Sequence, residues 1–236
     1  MTRGVLMVEG PTDERFFEVL TAPITGIEIF PPKKSGETAN GIDALLGSPQ
    51  KNGAIHRQLE RIKLGSIDRL GIIIDADSES STFAGGFNNR YRTVADILST
   101  EGFTDISDSN EKGFIFKRDD ANDIFIGLWI MPDCQNPGIF EDLLLECINH
   151  KKTEHHEIFG VSQNSVNSIK NSPHLSVVRF RDAHESKVRF STWLQWLRQP
   201  NHCYSLSPAC ALKEGWLNPE HDNIKALTYW LTRVFQ

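Results

Sequence analysis

Short apolar runs that stop abruptly at acidic residues open the chain and recur in its middle. Val5-Leu6-Met7-Val8 runs into Glu9-Gly10, and Leu70-Gly71-Ile72-Ile73-Ile74 runs into Asp75-Ala76-Asp77. Apolar runs without polar alternation predict strands covered on both faces, as in a parallel sheet. Ile27–Phe30, closed by Pro31-Pro32, predicts another strand, and Phe114–Phe116 and Ile124–Met131 two more, with the turn-like Arg118–Asp123 between them. Helical spacing fills the intervals. Pro11 suits the first turn of a helix carrying Phe16, Phe17, Val19 and Leu20 on its apolar face. Further helical periodicity runs over Ile42–Leu46, Ile55–Leu64, Tyr91–Leu98 and from Gly138 through Leu145, with Phe83–Asn89 read as a loop.

Beyond His150 the pattern loosens. Ser162–Pro173, rich in Ser and Asn, predicts a linker or loop-rich connection, before helical spacing resumes from His184 and again over Ile224–Phe235. Strands alternating with helices predict an α/β fold with a mostly parallel sheet flanked by helices. The division expected is a core over residues 1–150 and a mainly helical extension over 151–236, packed on that core or continuous with it.

Composition adds little until the chain is divided. At 236 residues, 39% hydrophobic and 24% charged, it can bury a sizeable core. No stretch approaches the roughly 20 apolar residues of a membrane span. The start lacks the pattern of a signal peptide, so a cytoplasmic protein without a membrane partner is expected. Cys134, Cys147, Cys203 and Cys210 include no Cys-x-x-Cys pair, which predicts free thiols; His155-His156 is expected on a solvated helix surface. The net charge of −6 divides unevenly: residues 1–150 hold 14 basic and 24 acidic side chains (net −10), residues 151–236 hold 11 and 7 (net +4). An acidic half beside a basic one suits a metal-holding region next to one that meets phosphates.

Open α/β sheets place their sites at the carboxyl ends of strands, where Glu9, Asp75 and Asp77 fall. Asp75 and Asp77, two apart, share a side in extended chain. Asp13, in the first turn of the next helix, can turn back toward Glu9. Carboxylates gathered in one crevice repel each other unless a cation neutralises them, and hard oxygen donors select Mg²⁺ or Mn²⁺. Taken alone, Asp75-Ala76-Asp77-Ser78 equally fits a turn or helix cap.

Val8-Glu9-Gly10-Pro11-Thr12-Asp13 and Ile74-Asp75-Ala76-Asp77 resemble the two defining motifs of the Toprim (topoisomerase–primase) domain. Glu-Gly-x-x-Asp followed by a Phe-rich helix resembles the branch with OLD-type nucleases and small bacterial Toprim-like proteins. Pro132-Asp133, Gly138, Phe140-Glu141-Asp142-Leu143 and Lys187–Trp193 are similar to further motifs of the small proteins. The resemblance implies a Rossmann-like Toprim sheet, with Glu9 as acid/base or metal ligand and Asp75 and Asp77 as metal ligands. It implies an acid near Asp13, a downstream acid at Glu141 or Asp142, and a phosphate-contacting lysine at Lys187. Topoisomerase and primase activities are not expected. No Gly-x-x-x-x-Gly-Lys-Ser/Thr loop or zinc module occurs, and Tyr91, Tyr204 and Tyr229 lie in no strand-passage context.

Basic residues that can meet nucleic acid are Lys33 and Lys34 in a loop, and Arg179, Arg181 and Arg189 among Phe180, Phe190, Trp193 and Trp196. An amphipathic helix with core aromatics and solvated arginines explains the second group as well. The function expected is a metal-dependent nuclease cleaving DNA or RNA with one or two Mg²⁺ or Mn²⁺ ions. The alternative is a non-catalytic Toprim module acting as a subunit beside a protein partner such as an ATPase.

Overall fold

The computed structural model describes residues 3–31, 42–48, 51–78, 85–151, 153–173, 185–197 and 207–236. Its elements run β1 (Gly4–Met7), α1 (Pro11–Leu20), β2 (Ile27–Phe30), α2 (Ile42–Leu46), β3 (Gly47–Ser48), β4 (Lys51–Asn52), α3 (Ala54–Lys63) and β5 (Arg69–Asp75). They continue with α4 (Phe87–Thr100), β6 (Thr104–Asp105), β7 (Phe114–Arg118), β8 (Ala121–Met131), α5 (Phe140–Glu146), α6 (Thr153–Lys170), α7 (Glu185–Leu197), α8 (Pro208–Lys213) and α9 (Asp222–Phe235). Six strands form one sheet in the order β2-β1-β5-β8-β7-β6, and β3 pairs with β4 in a separate ribbon. β2, β1, β5 and β8 are mutually parallel, while β7 and β6 add an antiparallel edge. The fold is α/β, with helices on both faces of a mostly parallel mixed sheet and a helical C-terminal part.

The apolar runs are strands because both faces of each are buried. Leu6, Val8, Ile73, Trp129 and Met131 join one cluster, under α1, α5, α7 and α9. Val5, Met7, Ile72, Ile74, Leu128 and Ile130 join the other, under α3 and α4. Successive residues of one strand thus feed opposite layers, as the pleat dictates. The first cluster also takes in Phe190, Ala211, Trp230 and Val234, so the helices beyond residue 150 share their core with the sheet.

α9 lies close on the sheet because adjacent strands lack side chains there. Gly71 and Gly127 are register partners in β5 and β8. A Cβ on Gly127 would come within 2.3 Å of Val234 Cγ2 and 2.8 Å of Trp230 Cζ2, and one on Gly71 within 2.7 Å of Leu6 Cδ1.

Two expectations are corrected. Ser162–Pro173 is not a linker: most of it is the second half of α6. The hydroxyls of Ser162, Ser165 and Ser168 donate to the carbonyls of Ile158, Val161 and Asn164 one turn earlier, which accommodates serine inside a helix. α4 begins at Phe87, inside the stretch expected to be a loop. His156 is exposed, with its Nδ1 2.8 Å from that of His150, whereas His155 is half-buried and edge-on to Trp216. Cys134, Cys147 and Cys210 are free thiols; Cys203 lies outside the described residues. Among the described residues no helix is long and apolar enough to cross a membrane.

Gly127→Val should overpack the slot beneath α9. Chemical denaturation should read a loss of about 2 kcal/mol or more, and Gly65→Ala, with open space around its Cβ position, a smaller one.

Candidate active site at the carboxyl ends of β1 and β5

From β1 the chain moves outward to β2, then returns to place β5 on the other side of β1. The crevice between β1 and β5 is therefore the topological switch point, where such sheets expose backbone ends to a ligand. Both acidic strand ends lie there. The N–H of Asp75 donates to Glu9 Oε1 at 2.8 Å, which ties the end of β5 to the residue following β1. Asp75 shares strand parity with Ile73 and so faces the α1 and α5 layer, where its Oδ1 accepts the N–H of Phe140 at 2.8 Å.

Asp13 and Asp142 do matching local work at two helix starts. Asp13 Oδ2 accepts the N–H of Gly10 at 2.9 Å, and Asp142 Oδ2 that of Ile139 at 2.8 Å. This reciprocal cap satisfies a backbone donor that helix geometry leaves open. The second oxygens differ. Asp142 Oδ1 accepts the hydroxyl of Ser186, whereas that of Asp13 has no donor among the described residues. Of the two candidate downstream acids, Asp142 is thus engaged in structure, and Glu141 is the one whose charge reaches Asp13 and Asp75.

Burial and mutual repulsion dominate the electrostatics. Glu9 is pushed up to about 7, first by burial and then by the charges of Asp77 and Asp13, against the lowering effects of its hydrogen bond and Arg90. Asp13 rises to about 6 through burial and Glu141. Burial, reinforced by Glu9, Asp13 and Glu141, holds Asp75 well above the ordinary carboxylate range, and burial also raises Glu141. Lys187 on α7 is their common counter-charge. Burial alone would lower its pKa, but Glu141, Asp75, Asp13 and Glu9 outweigh that and raise it. Among the described residues its ammonium makes no ion pair within 4.0 Å, so it faces the acids without locking onto one.

Asp77 departs from the expected geometry. The chain leaves the extended conformation, and Asp77 has a left-handed φ of 60°. A backbone bridge holds it there: its N–H donates to Gly138 O at 2.8 Å, and that of Gly138 returns to Asp77 O at 3.3 Å. Its Oδ2 meets the Arg90 guanidinium at 2.7 Å instead of sharing a side with Asp75. Sequence reasoning missed Arg90; a lone arginine in an amphipathic stretch carries no signal that it will be buried.

The crevice lined by Glu9, Asp13, Asp75, Phe17, Met131 and Phe140 has a volume of about 10 Å³, near the size of one water molecule. Its oxygen donors are of the hard type that Mg²⁺ or Mn²⁺ takes. As arranged, however, no group of three or more His, Cys, Asp or Glu side chains among the described residues is set to hold a metal ion. The donor chemistry fits such an ion; the resting spacing does not close on one.

The expected nucleic-acid contacts fare unevenly. Lys33, Lys34, Arg179 and Arg181 lie outside the described residues. The guanidinium of Arg189 is held by Glu185, Gln163 and, at 2.7 Å, Asn167, and so braces α7 against α6. Phe190 and Trp193 are core residues, whereas Trp196 is 60% exposed.

The raised acids set a pH dependence without metal. A carboxyl that binds its proton more tightly in the fold than in the unfolded chain favours folding when protonated. That contribution is complete below the ordinary values of 3.8 and 4.5 and is lost as pH rises through about 6 for Asp13 and about 7 for Glu9. Melting temperature in EDTA should therefore fall by roughly 5 °C or more between pH 5 and pH 8, at the 2–4 °C that accompany each kcal/mol in a chain of this size. Glu9→Gln should flatten the profile; an unchanged slope in that variant would contradict the assignment of the titration to Glu9.

No curated protein and no solved structure matches this chain significantly. One family model, described as "Protein of unknown function (DUF3226)", matches residues 3–236, so it takes in β1, β5 and every described residue of the crevice. The chain belongs to the DUF3226 family.

Proposed function

We propose that this crevice is the active site of a metal-dependent nuclease of Toprim type, hydrolysing phosphodiester bonds in DNA or RNA with Mg²⁺ or Mn²⁺. The observation that carries the reading is the meeting of Glu9, Asp13 and Asp75 at one switch-point crevice, where the charges of these three and of Glu141 all act on Lys187. Like charges buried together weaken a fold, and acids so placed point to a site that a cation completes.

Glu9, Asp13 and Asp75 each bind a backbone N–H through one oxygen, which fixes the carboxylate. The other oxygen of each is left for the cation, and the charge of Glu141 acts on Asp13 and Asp75. A bound divalent ion would polarise the phosphoryl group and acidify an attacking water. Lys187 approaches from α7 and suits a phosphate oxygen. Glu9, titrating near neutrality, can hold or release a proton at its carboxylate. The basic balance of residues 151–236 favours a polyanion on that side.

A second reading, a non-catalytic Toprim module within a larger complex, draws on one observation. No group of acids among the described residues is preset for a metal ion.

Two measurements test the site. Mn²⁺ should raise the melting temperature, because an ion bound to the fold stabilises it by mass action. Asp75→Asn should remove most of that gain and leave the metal-free protein as stable as before or slightly more so. Mn²⁺-dependent cleavage of plasmid or RNA should stop with EDTA and fall by roughly a hundredfold or more in that variant. An Asp75 that merely caps α5 would behave oppositely, with the variant losing stability in EDTA and keeping its full metal shift. Metal binding with no cleavage of either substrate would favour the non-catalytic module.

A further inference from the structure

A second opening lies on the outward face of α7 and shares Lys187 with the surroundings of the acid crevice. Phe190, Trp193 and Leu194 turn one face of that helix into the core. Away from them, Lys187, Val188, Ser191, Thr192 and Gln195 line an open concavity of about 590 Å³, within the range of ligand clefts. The start of α7 is fixed on that of α5 by the hydroxyl of Ser186, which donates to Asp142 Oδ1, and Lys187 follows directly. Lys187 therefore belongs to both places. It lines the concavity, and the charges of Glu9, Asp13, Asp75 and Glu141 act on its ammonium.

The lining suits a phosphate backbone. In a chain with 31 acidic residues, none of the side chains around this concavity is acidic; one is cationic, and three carry a hydroxyl or an amide. Those are the side-chain types that position nucleic acid through its phosphates and sugars, and no ring lines the concavity for bases to stack on. Among the described residues the side chains of Ser191, Thr192 and Gln195 make no hydrogen bond, whereas the serines of α6 bond back to their own helix. The spacing agrees. Lys187, Ser191 and Gln195 recur every fourth residue, so the helical rise sets them about 6 Å apart in one row. Successive phosphates along one strand have a similar separation.

We propose that this face of α7 is the path by which one nucleic-acid strand reaches the acid crevice, held by its phosphates along the row from Gln195 to Lys187 and independently of base sequence. Lys187 takes the phosphate nearest the acids, and Ser191, Thr192 and Gln195 hold those that follow. This rests on the reading of the crevice as a site of phosphodiester cleavage and adds to it the side from which the substrate enters and the part of it that is recognised.

The test is fluorescence anisotropy of a labelled single-stranded oligonucleotide of mixed sequence, in DNA and RNA forms, with the full chain in EDTA so that no cleavage intervenes. Gln195 is exposed and about two turns from Lys187, so its replacement leaves the acids and the core untouched. For whichever form binds, Gln195→Glu should weaken binding at least about fivefold. Gln195→Lys should tighten it and steepen the slope of log K against log salt by about 0.7, the contribution of one phosphate contact on a single strand. Lys187→Gln should make that slope shallower by about the same amount. Both Gln195 variants should melt within about 2 °C of wild type in EDTA, as surface substitutions do; if Gln195→Glu melts lower, Gln195→Lys decides alone. Gln195 variants that bind as wild type does would show a face that is merely solvated and would overturn the path, while Mn²⁺-dependent cleavage by the wild type would leave the crevice reading in place. Cleavage without any binding in EDTA would overturn the path in the same way. A wild-type chain that neither binds nor cleaves would remove the crevice reading and this inference together.

Discussion

Pairing β1 beside β5 in parallel carries two acidic chain ends into one crevice, and most of the molecule is arranged around that consequence. Parallel strands bring equivalent ends together, so two apolar runs that each finish in acids must deposit those acids side by side. The contact that records it is the Asp75 N–H on Glu9 Oε1 at 2.8 Å. Everything needed to bury the strands also buries the acids: α1 and α5 cover one face with Phe16, Phe17 and Phe140, and α7 closes over them with Phe190 and Trp193. Low polarity then amplifies repulsion among the carboxylates.

The structure answers that repulsion in several ways. Backbone N–H groups take one oxygen from each of three acids, which is the least costly compensation because helix starts and strand ends have donors to offer. Lys187 supplies a shared positive charge without committing to one partner. Arg90 supplies another, bound tightly to Asp77. Glu9 and Asp13 nonetheless keep pKa values near neutrality, so the compensation is incomplete. A protein selected for stability alone would place apolar residues here, and this unrelieved repulsion is what supports the proposed site.

Asp13 shows how structural and chemical roles combine in one side chain. Its cap on Gly10 is what any aspartate at that helix position would do, and Asp142 does the same on α5. What separates them is the second oxygen, engaged by Ser186 in Asp142 and without a donor among the described residues in Asp13, which lines the acid crevice. Local hydrogen bonding therefore does not distinguish a cap from a site residue. The neighbours that tertiary packing brings do.

Much of this was legible in the residues themselves. Apolar runs without alternation identified the buried strands, and acids at their ends located Glu9 and Asp75, because strand burial and strand termination are local properties. Where a local pattern was ambiguous, packing decided. Ser162–Pro173 looks like a linker by composition, yet packing of α6 against α7, with Val166 buried, keeps most of it helical. Asp75 and Asp77 share a side only while the chain stays extended, and the bridge from Asp77 to Gly138, 61 residues away, ends that. The sequence does not single out Arg90, and it places Arg189 among the basic residues that can meet nucleic acid. Only the packed structure turned one inward onto Asp77 and engaged the other between α6 and α7, because the partners that hold them come from other elements of the chain. The sequence by itself determined which strands are buried and which acids end them; which acids face one another, and which cations answer them, was decided by the tertiary contacts that short-range patterns do not encode.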